Sequence, residues 1–166
     1  GAAFVVLTRH PCAIWDSYAR SFFEGDDRAA WDFNPILDRY LPAMAGFLRA
    51  PPPRTLHLRY EDLVAEPEAA LRGLHELLAI PFEPAGVEYG DFAPPAAGLG
   101  DPLGVERNQR PVTASLDRWK EAARDPGRRA FLRGLAEGFD PGDLEVWGHP
   151  AGTLRAELDV LEGGSR

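Results

Sequence analysis

The run Ala3-Phe4-Val5-Val6-Leu7 constrains this chain most, because it is unbroken by any polar residue and then stops at Thr8-Arg9-His10-Pro11. A run without polar alternation predicts a strand covered on both faces, the pattern of a central strand in a parallel sheet. Pro11 suits the first position of a helix, where its missing N–H is no loss. Ile14, Tyr18 and Phe22 recur at helical spacing, so a helix is predicted over about 11–23. A domain that begins on a central strand is expected to lack something upstream, and its unpaired edge is expected to promote self-association.

Further along, Asn34-Pro35 opens an amphipathic stripe through Leu37, Tyr40, Leu41, Met44, Phe47 and Leu48, with Pro42 predicting a kink or break and Pro51-Pro52-Pro53 a stop. Residues 55–60 alternate as a second strand. Glu66-Pro67 opens a helix whose Leu71, Leu74, Leu77 and Leu78 are assigned to the core. Residues 81–111 are rich in Gly and Pro and predict a long surface loop, a length usually tied to function. Short helices are predicted over 115–124 and 127–138, and a last one over 151–161. No repeat or linker divides the chain, so 1–166 is taken as one domain, N-terminally incomplete. Strands alternating with helices indicate α/β architecture around a parallel sheet.

Composition narrows the partners. A net charge of −8 disfavours a nucleic-acid backbone or an anionic membrane, so any anion site must be built from a few aimed arginines. A lone cysteine, Cys12, cannot form an internal disulfide and suits a reducing compartment. No apolar run approaches the ~20 residues of a spanning helix. Together these predict a cytoplasmic protein.

Ligands of parallel α/β sheets bind outside the carboxyl ends of the strands, where Arg9 stands. The helix opened by Pro11 is expected to add free N–H groups and a partial positive charge. Ser17 lies six residues past Pro11, about 9 Å along the axis at 1.5 Å per residue. Arg9 and Ser17 are therefore candidates for one phosphate, against the alternative of a surface charge and a small packing residue. Glu61 and Asp62 are expected to hold a turn by local hydrogen bonds. His10, Cys12 and Trp119 are assigned structural roles, and His57, His75 and His149 show no metal-ligand spacing.

Arg-x-Pro with a serine eight residues after the arginine resembles the 3′-phosphate segment of sulfotransferases that use 3′-phosphoadenosine-5′-phosphosulfate (PAPS). "LRYEDLVAEPEAALRGLHELLAIPFEP", residues 58–84, is similar to that family's strand, "YEDL" and helix. "GDPLGVERNQRPVTASLDRWKEA", residues 100–122, is similar to its C-terminal cofactor loop and Arg-Trp helix. The resemblance implies a P-loop-type three-layer α/β fold lacking its N-terminal strand–loop–helix. It implies Arg9 and Ser17 on the cofactor's 3′-phosphate, Tyr60 near the adenine, and Arg107 or Arg110 closing over the phosphate. Guanidinium suits phosphate because it is always charged and forks bidentately.

The implied activity moves a sulfuryl group from PAPS to a hydroxyl or amine, leaving 3′-phosphoadenosine 5′-phosphate (PAP), with no metal. No Gly-x-x-x-x-Gly-Lys or Ser-Gly-Thr-Thr-like loop occurs in the sequence, so the chain alone is expected to be inactive and no catalytic base is assigned. Two other readings stay open: a nucleotide or small-molecule kinase of similar topology, and a non-catalytic adenine-nucleotide-binding remnant.

Overall fold

A computed structural model describes residues 1–88 and 110–163. Its order is β1 (Phe4–Thr8), α1 (Pro11–Phe23), α2 (Asp27–Phe33), α3 (Ile36–Arg49), β2 (Thr55–Arg59), α4 (Tyr60–Ala65) and α5 (Pro67–Leu78). Short 3-10 turns at Pro84–Val87 and Thr113–Ser115 precede α6 (Arg118–Ala122), α7 (Pro126–Glu137), α8 (Pro141–Trp147) and α9 (Ala151–Gly163). Part of the predicted loop, residues 89–109, lies outside the described residues.

Among the described residues the sheet has two strands, β1 and β2, paired in parallel from Phe4↔Thr55 to Thr8↔Arg59. The architecture is thus mixed α/β, mostly helical, and consistent with a P-loop-type sulfotransferase fold. The core lies on one side of the sheet. There Trp15, Leu37, Leu41, Trp119, Leu132, Leu144, Leu154 and Leu158 are almost wholly buried between helices.

Three expectations need correction. β1 is not covered on both faces: Val6 and Thr8 are buried, whereas Val5 is 47% and Leu7 46% exposed. Val5 and Leu7 share a face with Leu56 and Leu58, and α5 covers that face over β2, with Leu56 beside Gly73, leaving the β1 residues open among the described residues. The leucines of α5 do not reach the core, and none of its residues is buried, because this helix covers a sheet margin. Pro42 does not break α3, which runs through it. Pro42 lies on the exposed side, where water can serve the carbonyl that loses its helical partner.

Side-chain caps set three of the helix starts. Asp26, Asp125 and Asp140 each accept hydrogen bonds from backbone N–H groups in the first turns of α2, α7 and α8. Asp-Pro-Gly at 125–127 and again at 140–142 puts an acceptor at the cap and proline just inside it. None of the described helices is long and apolar enough to cross a membrane.

The exposed Val5 and Leu7, and the edge of β1 that is unpaired among the described residues, carry a prediction. The isolated chain is expected to self-associate at micromolar concentration, which sedimentation velocity would detect. A monomer at all concentrations would contradict it.

Candidate functional site

The parallel register builds the site. Thr8↔Arg59 is the last pair of the ladder, so the next residues, Arg9 and Tyr60, emerge side by side at the carboxyl ends of both strands. The Arg9 guanidinium carbon lies 4.4 Å from the centre of the Tyr60 ring. The segment after the Pro-rich loop supplies the third partner. Arg9 Nη2 donates to the Ser115 carbonyl at 3.0 Å, and the Tyr60 hydroxyl meets Ser115 Oγ at 3.1 Å. Because Ser115 Oγ donates to the Val112 carbonyl at 3.2 Å, Tyr60 is the donor in that pair.

Arg9 is half-buried and has no carboxylate in ion-pair contact among the described residues. Its Nε is buried without a partner there. Burial lowers its pKa, and the Coulombic pull of Tyr60, Glu61 and Asp16 works against that. A guanidinium nevertheless stays charged in a protein. A half-buried cation held by a carbonyl and a ring, with hydrogen-bonding capacity to spare, is chemically suited to an anion.

Ser17 is half-buried in α1, and its hydroxyl makes no hydrogen bond to another described residue. Arg110 faces elsewhere, with Nη1 3.5 Å from Glu88 Oε1 on an exposed surface. Arg107 lies outside the described residues. The structure therefore joins Arg9 to Tyr60 directly, and places Ser17 on the helix that follows Arg9.

The N-terminus of α1 does not offer the open amides expected of it. Pro11, Cys12 and Ala13 are buried, and the Ala13 and Ile14 amides both bond the His10 carbonyl. The His10 amide donates to Glu61 Oε1 at 2.8 Å. A buried helix end needs internal partners, and here Glu61 fills the anionic position. Glu61 therefore does not merely hold its own turn: it reaches from α4 to the β1–α1 junction.

Around this junction lies a polar network. His10 Nε2 is 2.8 Å from Glu157 Oε2, and its ring stacks on Trp119 at 4.4 Å. His149 stands edge-on to His10 at 5.3 Å and 3.3 Å from Glu61 Oε2, angled away from a hydrogen bond. Gly148, at φ +89, ends α8 and turns His149 inward; a Cβ there would approach Arg59 Cδ to 3.0 Å. Lys120 lies 3.6 Å from Glu157 and 2.7 Å from Asp117.

Burial alone would raise the Glu61 pKa, but His149 and the amides of His10 and Glu61 prevail and hold it at about 2. Burial lowers His10 below its usual value, against the opposing pull of Glu157. Cys12 is pushed up to about 12 by burial, which makes it an unreactive thiol at neutral pH.

These shifts fix a pH dependence. A His depressed in the folded state contributes fully above its unfolded value near ~6.5, and that contribution falls as pH drops through the window below it. Glu61, also depressed, contributes fully above an unfolded value near ~4.3 and is lost as pH falls toward 2. Thermal melts should show two successive acid losses, and His10→Gln should diminish the upper one, to which His57, also lowered by burial, contributes. An unchanged profile for His10→Gln would refute the assignment.

Four residues of this site were not singled out from the sequence as site residues: Ser115, Trp147, His149 and Glu157. Only Ser115 had a visible signal, a hydroxyl at the end of the loop similar to a cofactor loop. The others lie more than 130 residues from Arg9 in sequence.

Comparison with known proteins bears on the same residues. A model of the sulfotransferase family matches residues 1–84, just over half of the chain, from β1 through α5. That span contains Arg9, Ser17 and Tyr60 and leaves Ser115 outside. No curated protein and no solved structure matches the chain. The chain belongs to the sulfotransferase family.

Proposed function

We propose that this sulfotransferase uses PAPS as donor and that residues 1–166 supply the 3′-phosphate and adenine half of its site. The carrying observation is Arg9, a half-buried guanidinium at a strand's carboxyl end with a free buried Nε and no acidic partner among the described residues. The 3′-phosphate takes the guanidinium fork in place of the Ser115 carbonyl, with Ser17 Oγ donating from the helix flank. Tyr60 then stacks near the adenine, and Arg107 or Arg110 closes over the phosphate from the loop. For Arg110 this requires release from Glu88, an exposed pair that costs little to break.

In this role the chain orients the donor for in-line displacement, with sulfuryl passing from PAPS to an acceptor hydroxyl or amine. Fixing the 3′-phosphate spends binding energy on position, which lowers the barrier by restricting the donor's freedom. The buried, unreactive Cys12 fits a cytoplasmic enzyme.

Thermal shift tests the proposal. A ligand that binds only the folded state at 100 times its Kd stabilises by about 2.7 kcal/mol, or roughly 5–10 °C for a chain of this size. PAP should produce such a shift and ATP, lacking a 3′-phosphate, should not. An equal shift with both, or none with PAP, would overturn it.

A further inference from the structure

The Arg9–His10 peptide unit is gripped at both ends. Its carbonyl, on Arg9, accepts from Trp147 Nε1 at 2.8 Å. Its N–H, on His10, donates to Glu61 Oε1 at 2.8 Å. The two grips come from different parts of the chain: Glu61 from α4, inside the family match, and Trp147 from the end of α8, outside it.

This peptide lies just past the last ladder pair, Thr8↔Arg59, so neither bond duplicates the sheet. Two hydrogen bonds at opposite edges of one peptide plane fix ψ of Arg9 and φ of His10 together. The exit direction of the Arg9 side chain is thereby set. Trp147 is itself held, at 3% exposure, and His149 stands 3.3 Å from the other oxygen of Glu61 without a hydrogen bond to it. His10 is held again through its ring, between Trp119 and Glu157.

We infer that Trp147 and Glu61 are positioning residues of the Arg9 site, a clamp that presets the arginine for a 3′-phosphate. The inference rests on the reading of Arg9 as a phosphate ligand. Its physical ground is preorganisation: an arginine on a loose peptide must be ordered by its ligand, whereas a clamped one is not. Glu61 acts here as an acceptor and not through its charge, since a carboxylate near Arg9 opposes a phosphate.

That distinction supplies the test. Calorimetric Kd values for PAP and for adenosine 5′-phosphate are measured on wild type, Arg9→Ala, Glu61→Ala, Glu61→Gln and Trp147→Phe. Melting curves first establish which variants are folded under the assay conditions. The readout is the preference for PAP over adenosine 5′-phosphate, which a general loss of packing would not move selectively.

Glu61→Ala and Trp147→Phe should each reduce that preference by about tenfold, the scale of one lost hydrogen bond. Glu61→Gln keeps an acceptor oxygen for the His10 amide and should retain the preference. Trp147→Phe attacks the other end of the same peptide, so the inference does not depend on Glu61 variants folding.

A preference abolished in Arg9→Ala but intact in Glu61→Ala and Trp147→Phe would overturn the clamp and leave the phosphate site standing. A preference lost equally in Glu61→Gln and Glu61→Ala would also overturn it, assigning Glu61 to charge. No preference in wild type would overturn the phosphate reading and the clamp with it.

Discussion

Arg128→Ala is expected to destabilise the fold by about 3–5 kcal/mol, the usual cost of removing one partner from a buried ion pair. Arg128 lies in α7 with its side chain only 11% exposed. Its Nη2 is 3.1 Å from Asp16 of α1, and its Nη1 is 2.9 Å from Asp27 of α2. Nη1 also donates to the Gly25 carbonyl at 2.6 Å, at the turn between those helices. Asp27 in addition accepts from Trp15 Nε1 at 2.7 Å, within the aromatic core. One guanidinium thus ties three helices, and a lysine with its single ammonium could not reproduce the fork.

The same pair predicts the pH dependence of the damage. Burial raises the Asp27 pKa, against the lowering influence of Trp15 and Arg128. Without Arg128 it rises further, so protonation in the folded state relieves the unpaired charge. A folded-state pKa above the unfolded one gives stability that is present at low pH and lost as pH rises. Denaturant titration should therefore show a larger loss for Arg128→Ala at pH 8 than at pH 5. A loss of equal size at both would assign Arg128 to packing alone.

The elements that set the site were legible from short local signals. Arg9-His10-Pro11 announced strand, junction and helix, and β1 and α1 occur where the pattern put them. The helix predicted over 127–138 is α7, yet no element was predicted at the Asp-Pro-Gly of 140–142, because α8 spans only 7 residues and shows too little periodicity. That omission hid Trp147 and His149. The apolar run of β1 suggested cover on both faces, but apolar sequence records what a strand can bury and says nothing of which neighbour is present.

Glu61 shows a different limit. Its position after Tyr60 suggested a local turn, and the sequence alone could not reveal that a parallel register brings it under the His10 amide. Long-range hydrogen bonds to a single backbone N–H leave no periodic trace. Ser115 likewise became visible only once the chain following the loop was placed against Arg9.

Arg9→Ala should weaken PAP binding by about 10- to 150-fold, matching roughly 1.5–3 kcal/mol for a charge-assisted hydrogen bond at 1.4 kcal/mol per decade. Binding of adenosine 5′-phosphate, which lacks the 3′-phosphate, should change little. Stability should change little as well, since Arg9 makes no ion pair among the described residues and fills no core volume. Ser17→Ala removes a neutral donor to a charged acceptor and should cost about 1–2 kcal/mol.

The most direct measurement is calorimetric titration of PAP and adenosine 5′-phosphate into wild type and Arg9→Ala. The account predicts that wild type prefers PAP and that Arg9→Ala loses that preference while keeping its affinity for adenosine 5′-phosphate. Equal losses for both nucleotides, or none for either, would make Arg9 structural and contradict the assignment of a 3′-phosphate site.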